Sequence, residues 1–539
     1  MSTMADLLRK RIGDDHPGLV EHGKSLTWDE VVRVAERRAS WLVQMRSPGP
    51  AHLGILLPNG IDYLLWLFAA SMARWTIVGI NPTRRGDALA EDIRSTHCQL
   101  IIADEGGRSL ISGLDLTLAD DRIIDVREAA RNAAESELVD LEESHPDDLL
   151  LLLFTSGTTG TPKAVRCTTG RLAGIAETAA PAYGYQRSDV CYCPMPLFHG
   201  NALMALVAPG LLVGATIALR PRFSAGSFLD DVRTFGATTF TYVGKAIAYI
   251  LATPEADSDL DNTLERGFGT EASSGDRARF IERFGCRLVE GYGSSEGGVN
   301  IIATPDTPPG ALGPALGGAD IAVVDPVTGR EMAPAVFDEA GVLVNGNEAI
   351  GEIVNRDGPG KFEGYYANEE AQASRTKNGW YWTGDLAYRD TDGYFWFAGR
   401  GGDWLRVDSE NLAATPIESV LSRYPAFAGV AVYAVPDVET SAGDLVMLAA
   451  ELRASTFDPD DFARWLDAQE DLGTKWAPSY VRLCEKIDET ATGKITKVRL
   501  QAERWHGSDP VYVRASRDNR YELLTPAMAS SLDDRLAKR

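Results

Sequence analysis

Leu149-Leu-Leu-Leu-Leu-Phe-Thr-Ser-Gly-Thr-Thr-Gly-Thr-Pro-Lys-Ala-Val-Arg166 joins a short apolar run to a loop of hydroxyls and glycines that is closed by a lysine. The run is bounded by turn residues, the pattern of a strand covered on both faces. The loop brings together the hydroxyls of Thr155, Ser156, Thr158 and Thr159, the unhindered N–H groups of Gly157 and Gly160, and Lys163. A polyphosphate suits that inventory, because each oxygen takes several donors and glycine lets the backbone come close. A flexible polar turn has the same composition. The spacing is not that of the Walker loop, which places Gly-Lys-Ser/Thr at the mouth of a helix. Here Pro162 precedes the lysine and a second extended segment follows.

Length and charge narrow the field. A chain of 539 residues is too long for one core, so two or more domains are expected. Hydrophobic content of 44% and charged content of 24% are ordinary for a soluble globular protein. A net charge of −24 argues against nucleic acid and against an anionic membrane surface, which both select basic patches. Six cysteines in so long a chain make no disulfide framework. Cys191-Tyr-Cys193 has no His or Cys pair at ligand spacing and reads as buried strand cysteines. The segment Met1–Arg11 has no apolar core of a signal peptide. Leu64–Ile80, interrupted by Arg74 and Trp75, is too short to span a bilayer. A cytoplasmic enzyme is expected.

The pattern along the chain is α/β. Thr27 and Glu30 form a capping box, and Trp28, Val31, Val32, Ala35, Ala39 and Leu42 repeat at helical spacing. His52–Leu57 reads as a strand, Ile61–Arg74 as a helix and Thr76–Ile80 as a strand. From 215 to 293 strands and helices alternate, as in parallel sheets with helices outside. Residues 292–296 then fall just past the carboxyl end of a strand near 286–291, where open α/β sheets place ligands. Residues 315–400 change to short β-rich runs such as Ile321–Val324 and Gly351–Asn355. Residues 404–505 alternate again as a compact domain, and the apolar residues of the 509–525 tail predict that it packs on the body.

Further motifs follow the first in a fixed order: Glu290-Gly-Tyr-Gly-Ser-Ser-Glu-Gly297, Trp380-Tyr-Trp-Thr-Gly-Asp-Leu386, Ala398-Gly-Arg-Gly-Gly-Asp403 and Thr490-Ala-Thr-Gly-Lys-Ile495. Together the five resemble the adenylate-forming superfamily of acyl-CoA synthetases, luciferases and peptide-synthetase adenylation domains, over essentially the whole chain. The resemblance implies a large N-terminal domain (1–400) of parallel α/β sheets with a small β-rich subdomain (315–400). A smaller, mobile α+β domain (401–539) follows it. It also implies ATP, Mg2+ and coenzyme A as co-substrate, and leaves a homodimer open.

What it implies for single residues can be weighed against their chemistry. Thr155, Ser156, Gly157, Thr158, Thr159, Gly160 and Lys163 resemble the loop that holds the β- and γ-phosphates. Glu296 resembles the magnesium ligand; one carboxylate plus phosphate oxygens and waters suits that ion. Gly293, Ser294 and Ser295 sit beside it, and Ser295 stands where relatives more often have Thr, with the hydroxyl kept for the α-phosphate. Tyr292 is expected along the adenine, with Gly269, Thr270 and Glu271 in the place of the second adenine-lining segment. Asp385 resembles the aspartate that accepts both ribose hydroxyls, assisted by Arg400. Lys494 resembles the mobile-domain lysine that bridges the substrate carboxylate and the α-phosphate. A long cation on a swinging domain can serve one half-reaction and leave for the other. His199, followed by Gly200, matches the residue beside the acyl carboxylate.

Arg400, Gly401, Gly402 and Asp403 read as the hinge, with Gly402 where many members carry Asp or Lys. That departure, together with Asn81-Pro-Thr-Arg-Arg85 and the Asp-Pro-Val-Tyr tail, resembles the very-long-chain acyl-CoA synthetase and fatty acid transport protein branch. Ser409 stands where that branch usually has Gly. The expected reaction is ATP-dependent activation of a fatty or sterol side-chain acid to its CoA thioester. Two alternatives compete: an acyl-AMP ligase that loads a carrier protein, and a non-catalytic lipid uptake or binding protein. The presence of Lys494, Glu296 and Asp385 argues against the last.

Overall fold

The computed structural model describes the chain except at residues 156–162, 273, 316–317, 340–342, 401–403, 408–409, 439–443, 454–455, 470–471, 473–475, 490–494, 515–519 and 538–539. It divides into two compact units, Met1–Ala303 with Pro359–Thr376, and Thr304–Gly358 with Lys377–Arg539.

The first unit is built on two largely parallel sheets. One runs in the order Ile123–Asp125, Leu100–Ala103, His52–Leu56, Thr76–Gly79, Leu149–Thr155 and Lys163–Thr168, and its last pair is antiparallel. The leucine run is buried as its composition requires. The other sheet orders Asn300–Ile302, Arg287–Gly293, Arg266–Thr270, Thr239–Val243, Val190–Cys193, Thr216–Leu219, Pro17–Glu21 and Lys24–Thr27. It is parallel in the middle and antiparallel at both edges. Cys191 and Cys193 are buried in it, and burial lifts both thiols above their ordinary range. The capping box at Thr27 and Glu30 opens helix Trp28–Gln44. The apolar stretch after residue 60 is a core helix, Ile61–Ala73, buried at every position except Asp62. Among the described residues no helix is long and apolar enough to cross a membrane.

One boundary differs from expectation. The strand expected near 286–291 continues to Gly293, because its pairing changes partner. Parallel pairing ends at Gly269 opposite Glu290, and antiparallel pairing to Asn300–Ile302 carries Gly291, Tyr292 and Gly293 onward. Tyr292 is thus a strand residue, and the turn proper is 294–299.

The second unit contains an antiparallel sheet in the order Gly313–Pro314, Tyr394–Arg400, Trp380–Arg389, Gly351–Asn355 and Ile321–Val324. It also contains a five-stranded sheet of Phe427–Pro436, Asp444–Leu452, Tyr480–Cys484, Val511–Arg514 and Tyr521–Leu523. The last two strands are the tail; Tyr521 anchors it by donating its hydroxyl to the Pro478 carbonyl at 2.6 Å. By contacts, 304–358 and 377–400 group with the C-terminal part of the chain and not with 1–303. Helix Ala414–Leu421 packs on strand Tyr394–Arg400, which explains that grouping. A functional division at residue 400 concerns motion and belongs with the proposal below.

Candidate active site

In the first unit the two ends of the opening motif pair as antiparallel strands. Leu149–Thr155 pairs with Lys163–Thr168, with Thr155 opposite Lys163, and the Thr155 hydroxyl donates to the Lys163 carbonyl at 3.4 Å. Ser156, Gly157, Thr158, Thr159 and Gly160 lie outside the described residues. The outer edge of Lys163–Thr168 is covered by a segment from much later in the chain. Arg166 N donates to Gly364 O at 3.1 Å, and Tyr366 N to Ala164 O at 2.8 Å.

This covering segment brings Tyr365 into the site. The Lys163 ammonium lies 5.5 Å from the centre of the Tyr365 ring, a cation–π distance. The Tyr365 hydroxyl donates to Glu296 Oε1 at 2.8 Å, and Arg375 Nε donates to the Tyr365 oxygen at 3.3 Å. Glu296 is buried, 4% exposed, so its hydrogen bond replaces lost water. Burial pushes Lys163 below its ordinary range, Arg375 adds to that, and Glu296 and Glu370 oppose it. Burial, followed by the Glu296 charge, pushes the Tyr365 phenol up, so Tyr365 remains a donor.

His199 and Gly200 meet the same turn. A Cβ on Gly200 would lie 3.0 Å from the Ser295 hydroxyl and 3.3 Å from the Met204 sulfur, so glycine is what lets this helix start approach Ser295. His199 is half-buried, donates its backbone N–H to Pro196 O at 3.1 Å, and packs its ring 4.4 Å from that of Phe198. The helix from Gly200 widens into a π turn at Leu203–Val207 before continuing as Ala208–Val213.

Gly269 and Thr270 end strand Arg266–Thr270, and Glu271 follows at φ 69°, in the left-handed region. A non-glycine residue there is uncommon and often marks a site. A Cβ on Gly244 would sit only 1.9 Å from the Glu271 carbonyl oxygen, so glycine is required at that contact. Beneath this segment, Tyr242 donates its hydroxyl to Glu290 Oε1 at 2.7 Å. Burial lifts the Glu290 acid above its usual range. Tyr292 is half-buried, while Gly293 and Ser294 are exposed.

The second unit carries Asp385 inside strand Trp380–Arg389, opposite Arg400 in register. Its backbone is tied on both sides. Asp385 N donates to the Thr383 hydroxyl at 3.1 Å, and Gly384 N donates to Glu352 Oε1 at 2.7 Å. Lys494, Gly401, Gly402 and Asp403 lie outside the described residues. The residues singled out from sequence therefore fall into two groups. Lys163, His199, Gly200, Ser295 and Glu296 come together in one unit, and Asp385 and Arg400 in the other. Tyr365 and Arg375 were not singled out; the aromatic pair in Gly364-Tyr-Tyr-Ala367 is the signal for Tyr365, and Arg375 has none.

The family model of the AMP-binding enzymes matches residues 10–366. The chain belongs to the AMP-binding enzyme family. This AMP-binding enzyme is 51% identical over 519 residues to steroid-22-oyl-CoA synthetase of Rhodococcus jostii, covering 95% of this chain and 93% of the relative. It is 32% identical over 429 residues to human long-chain fatty acid transport protein 1, covering 75% of this chain and 64% of that protein. That likeness agrees with the branch indicated by Gly402 and the tail. ATP-bound MatB from Rhodopseudomonas palustris superposes with a TM-score of 0.81 at 22% identity, over 92% of this chain and 98% of MatB, which establishes the fold.

Proposed function

We propose that the chain is an ATP-dependent acyl-CoA synthetase. It joins a carboxylic acid to AMP with release of pyrophosphate, then transfers the acyl group to coenzyme A with release of AMP. The observation that carries this reading is the meeting of two motifs in one unit. Lys163 and Glu296 share Tyr365, and Gly200 lies against the Ser295 hydroxyl.

Both reactants of the first step are anions, so the site must supply positive charge and N–H donors where the two approach. Thr155, Ser156, Gly157, Thr158, Thr159, Gly160 and Lys163 take the β- and γ-phosphates in this reading. Ser295 takes the α-phosphate; Tyr292 and the Gly269–Glu271 segment line the adenine. Asp385, with Arg400, takes the ribose hydroxyls. His199 and Gly200 border the acid, and Lys494 bridges its carboxylate to the α-phosphate.

The described residues hold no group of three or more acidic, His or Cys side chains fit to cage a metal. A single buried carboxylate does suit Mg2+, which keeps waters and phosphate oxygens as its other ligands. Glu296 would hold the ion, and Tyr365 would steady that carboxylate through Oε1. Bound there, Mg2+ would neutralise phosphate charge.

For the second step, the segment Arg400–Asp403 is the pivot about which residues 401–539 exchange Lys494 for the coenzyme A path. Likeness to the steroid-22-oyl and long-chain relatives supports a bulky apolar acid, a steroid side-chain acid or a long-chain fatty acid. A cytoplasmic location fits the need for ATP and coenzyme A.

Pyrophosphate release across a panel of steroid side-chain and fatty acids, with and without coenzyme A, tests the reading. Acid-dependent release with formation of an acyl-CoA is expected. Release without transfer to coenzyme A would favour a ligase that loads a carrier protein, and no release with any acid would overturn the enzyme reading.

A further inference from the structure

Arg171 is a buried cation to which the roles above assign nothing. It is 7% exposed and sits in the first turn of helix Thr169–Ala182. That helix start is fixed on several sides. Glu363 accepts from Thr168 N at 2.7 Å and from its hydroxyl at 2.6 Å, and the Thr168 hydroxyl caps Arg171 N at 3.1 Å. Gly170 is pressed on Pro146, where a Cβ would lie 2.7 Å from the proline carbonyl oxygen.

From this base the guanidinium spans two carbonyls. Nη1 donates to Arg166 O at 2.8 Å and Nη2 donates to Ser295 O at 2.6 Å. Arg166 lies on the strand that leaves the phosphate hairpin, and Ser295 immediately precedes Glu296. Gly297 completes the contact. It has φ +71°, and a Cβ there would lie 2.6 Å from Nη2. Among the described residues no carboxylate pairs with Arg171, and its Nε is buried without a hydrogen-bond partner. Lys361 stands close by; burial and then the Arg171 charge push its ammonium below the ordinary range. A buried cation that bonds only to carbonyls is expensive to keep, because no counter-charge offsets its desolvation.

Resting on the acyl-CoA synthetase reading above, we infer that Arg171 is a positioning residue that fastens the Ser295–Glu296–Gly297 turn to strand Lys163–Thr168. The main chain of the Glu296 turn is thereby tied to the phosphate hairpin, beside the separate tie that Tyr365 makes to the Glu296 carboxylate. Arginine suits this task because its rigid planar fork places two separate donor nitrogens, one for each carbonyl, where lysine has a single nitrogen.

The test is equilibrium binding of MgATP to the full chain by calorimetry, with melting curves as a check on folding. Arg171→Met should weaken MgATP binding by about tenfold or more, as expected for loss of charge-assisted hydrogen bonds. Pyrophosphate turnover at saturating MgATP should fall less than binding does. Arg171→Lys, which keeps the charge and loses the bridge, should bind as poorly as Arg171→Met. Guanidinium ion added to Arg171→Ala should restore part of the affinity. A folded Arg171→Met protein that binds MgATP within about twofold of the parent overturns the inference. Where Arg171→Met does not fold, Gly297→Ala displaces the guanidinium without removing it; weakened binding supports the inference and parental binding overturns it. Failure of the parent protein to bind MgATP would instead overturn the enzyme reading, and this inference with it.

Discussion

The residues around Lys163 and those around Asp385 are held by opposite kinds of sheet. In the first unit they lie at strand ends of two largely parallel sheets, where antiparallel edge strands take over. Glu271 follows strand Arg266–Thr270, and Glu296 follows strand Arg287–Gly293. Such ends depend on unusual backbone: φ 69° at Glu271, φ 71° at Gly297, and no room for a Cβ at Gly244. In the second unit Asp385 lies within an antiparallel strand at a point where its pairing breaks: Gly384 has φ 73°, the register to Gly351–Asn355 shifts across residues 383–385, and Asp385 N is tied to the Thr383 hydroxyl. The first arrangement can gather groups from several strands but is sensitive to added atoms. The second presents one side chain from an irregular point within a single strand.

Five substitutions break or sharpen that comparison. The largest effect is expected in the second unit at Lys494. Lys494→Ala should slow adenylate formation by about a thousandfold, in the range of a lost transition-state donor, and spare thioester formation from preformed acyl-adenylate. Single-turnover assays of each half-reaction separate the two, and equal loss in both would make Lys494 structural.

Asp385→Ala comes next. Loss of two hydrogen bonds to a charged group, about 3 kcal/mol or more, should raise the KM for ATP by about a hundredfold. The melting temperature should barely move, since the strand's ladder does not use that side chain. An unchanged KM would place the ribose elsewhere.

Tyr365→Phe removes the donor to Glu296 and leaves the ring under Lys163. A rise of about tenfold in the KM for MgATP is expected, as for one hydrogen bond to a charged acceptor. Steady-state kinetics at varied Mg2+ would read it, and an unchanged Mg2+ dependence would separate Tyr365 from the metal.

The smallest effect compares two glycines of the first unit. A Cβ on Gly269 would meet Tyr242 at 2.4 Å, whereas on Gly293 its nearest neighbour lies at 3.5 Å. Gly269→Ala should lower unfolding free energy by about 1–3 kcal/mol through overpacking, and Gly293→Ala by about 0.5 kcal/mol at most. Chemical denaturation measures both, and equal losses would mean that the strand end does not depend on close approach.

Much of the architecture was legible because it is local. The leucine run, the Thr27 capping box and the strand–helix alternation from 215 to 293 each declare themselves through a period or a cap within one element. The motifs were legible because phosphate and ribose recognition demand particular residue types at short spacing. What escaped is what pairs distant residues. Tyr365 meets Glu296 across 69 positions, and Arg171 reaches Ser295 across 124. Neither contact leaves a periodicity in the chain. The extension of strand Arg287–Gly293 was hidden for the same reason, since its last residues are ordered by a partner, Asn300–Ile302, that arrives later. The grouping of 304–358 with the C-terminal part rests on helix–strand packing of the same long-range kind.

The return of Pro359–Thr376 to the first unit has a consequence for the newborn chain. Everything up to Ala303 can leave the ribosome and still lack the segment that covers strand Lys163–Thr168 and gives Glu296 its donor. Until residue 376 emerges, that strand is a bare edge open to other chains, and a buried acid waits for its tyrosine. Synthesis from the N-terminus therefore cannot finish the first unit in one pass. A nascent chain halted at Ala303 should be more aggregation-prone and easier to digest than one halted just beyond Thr376.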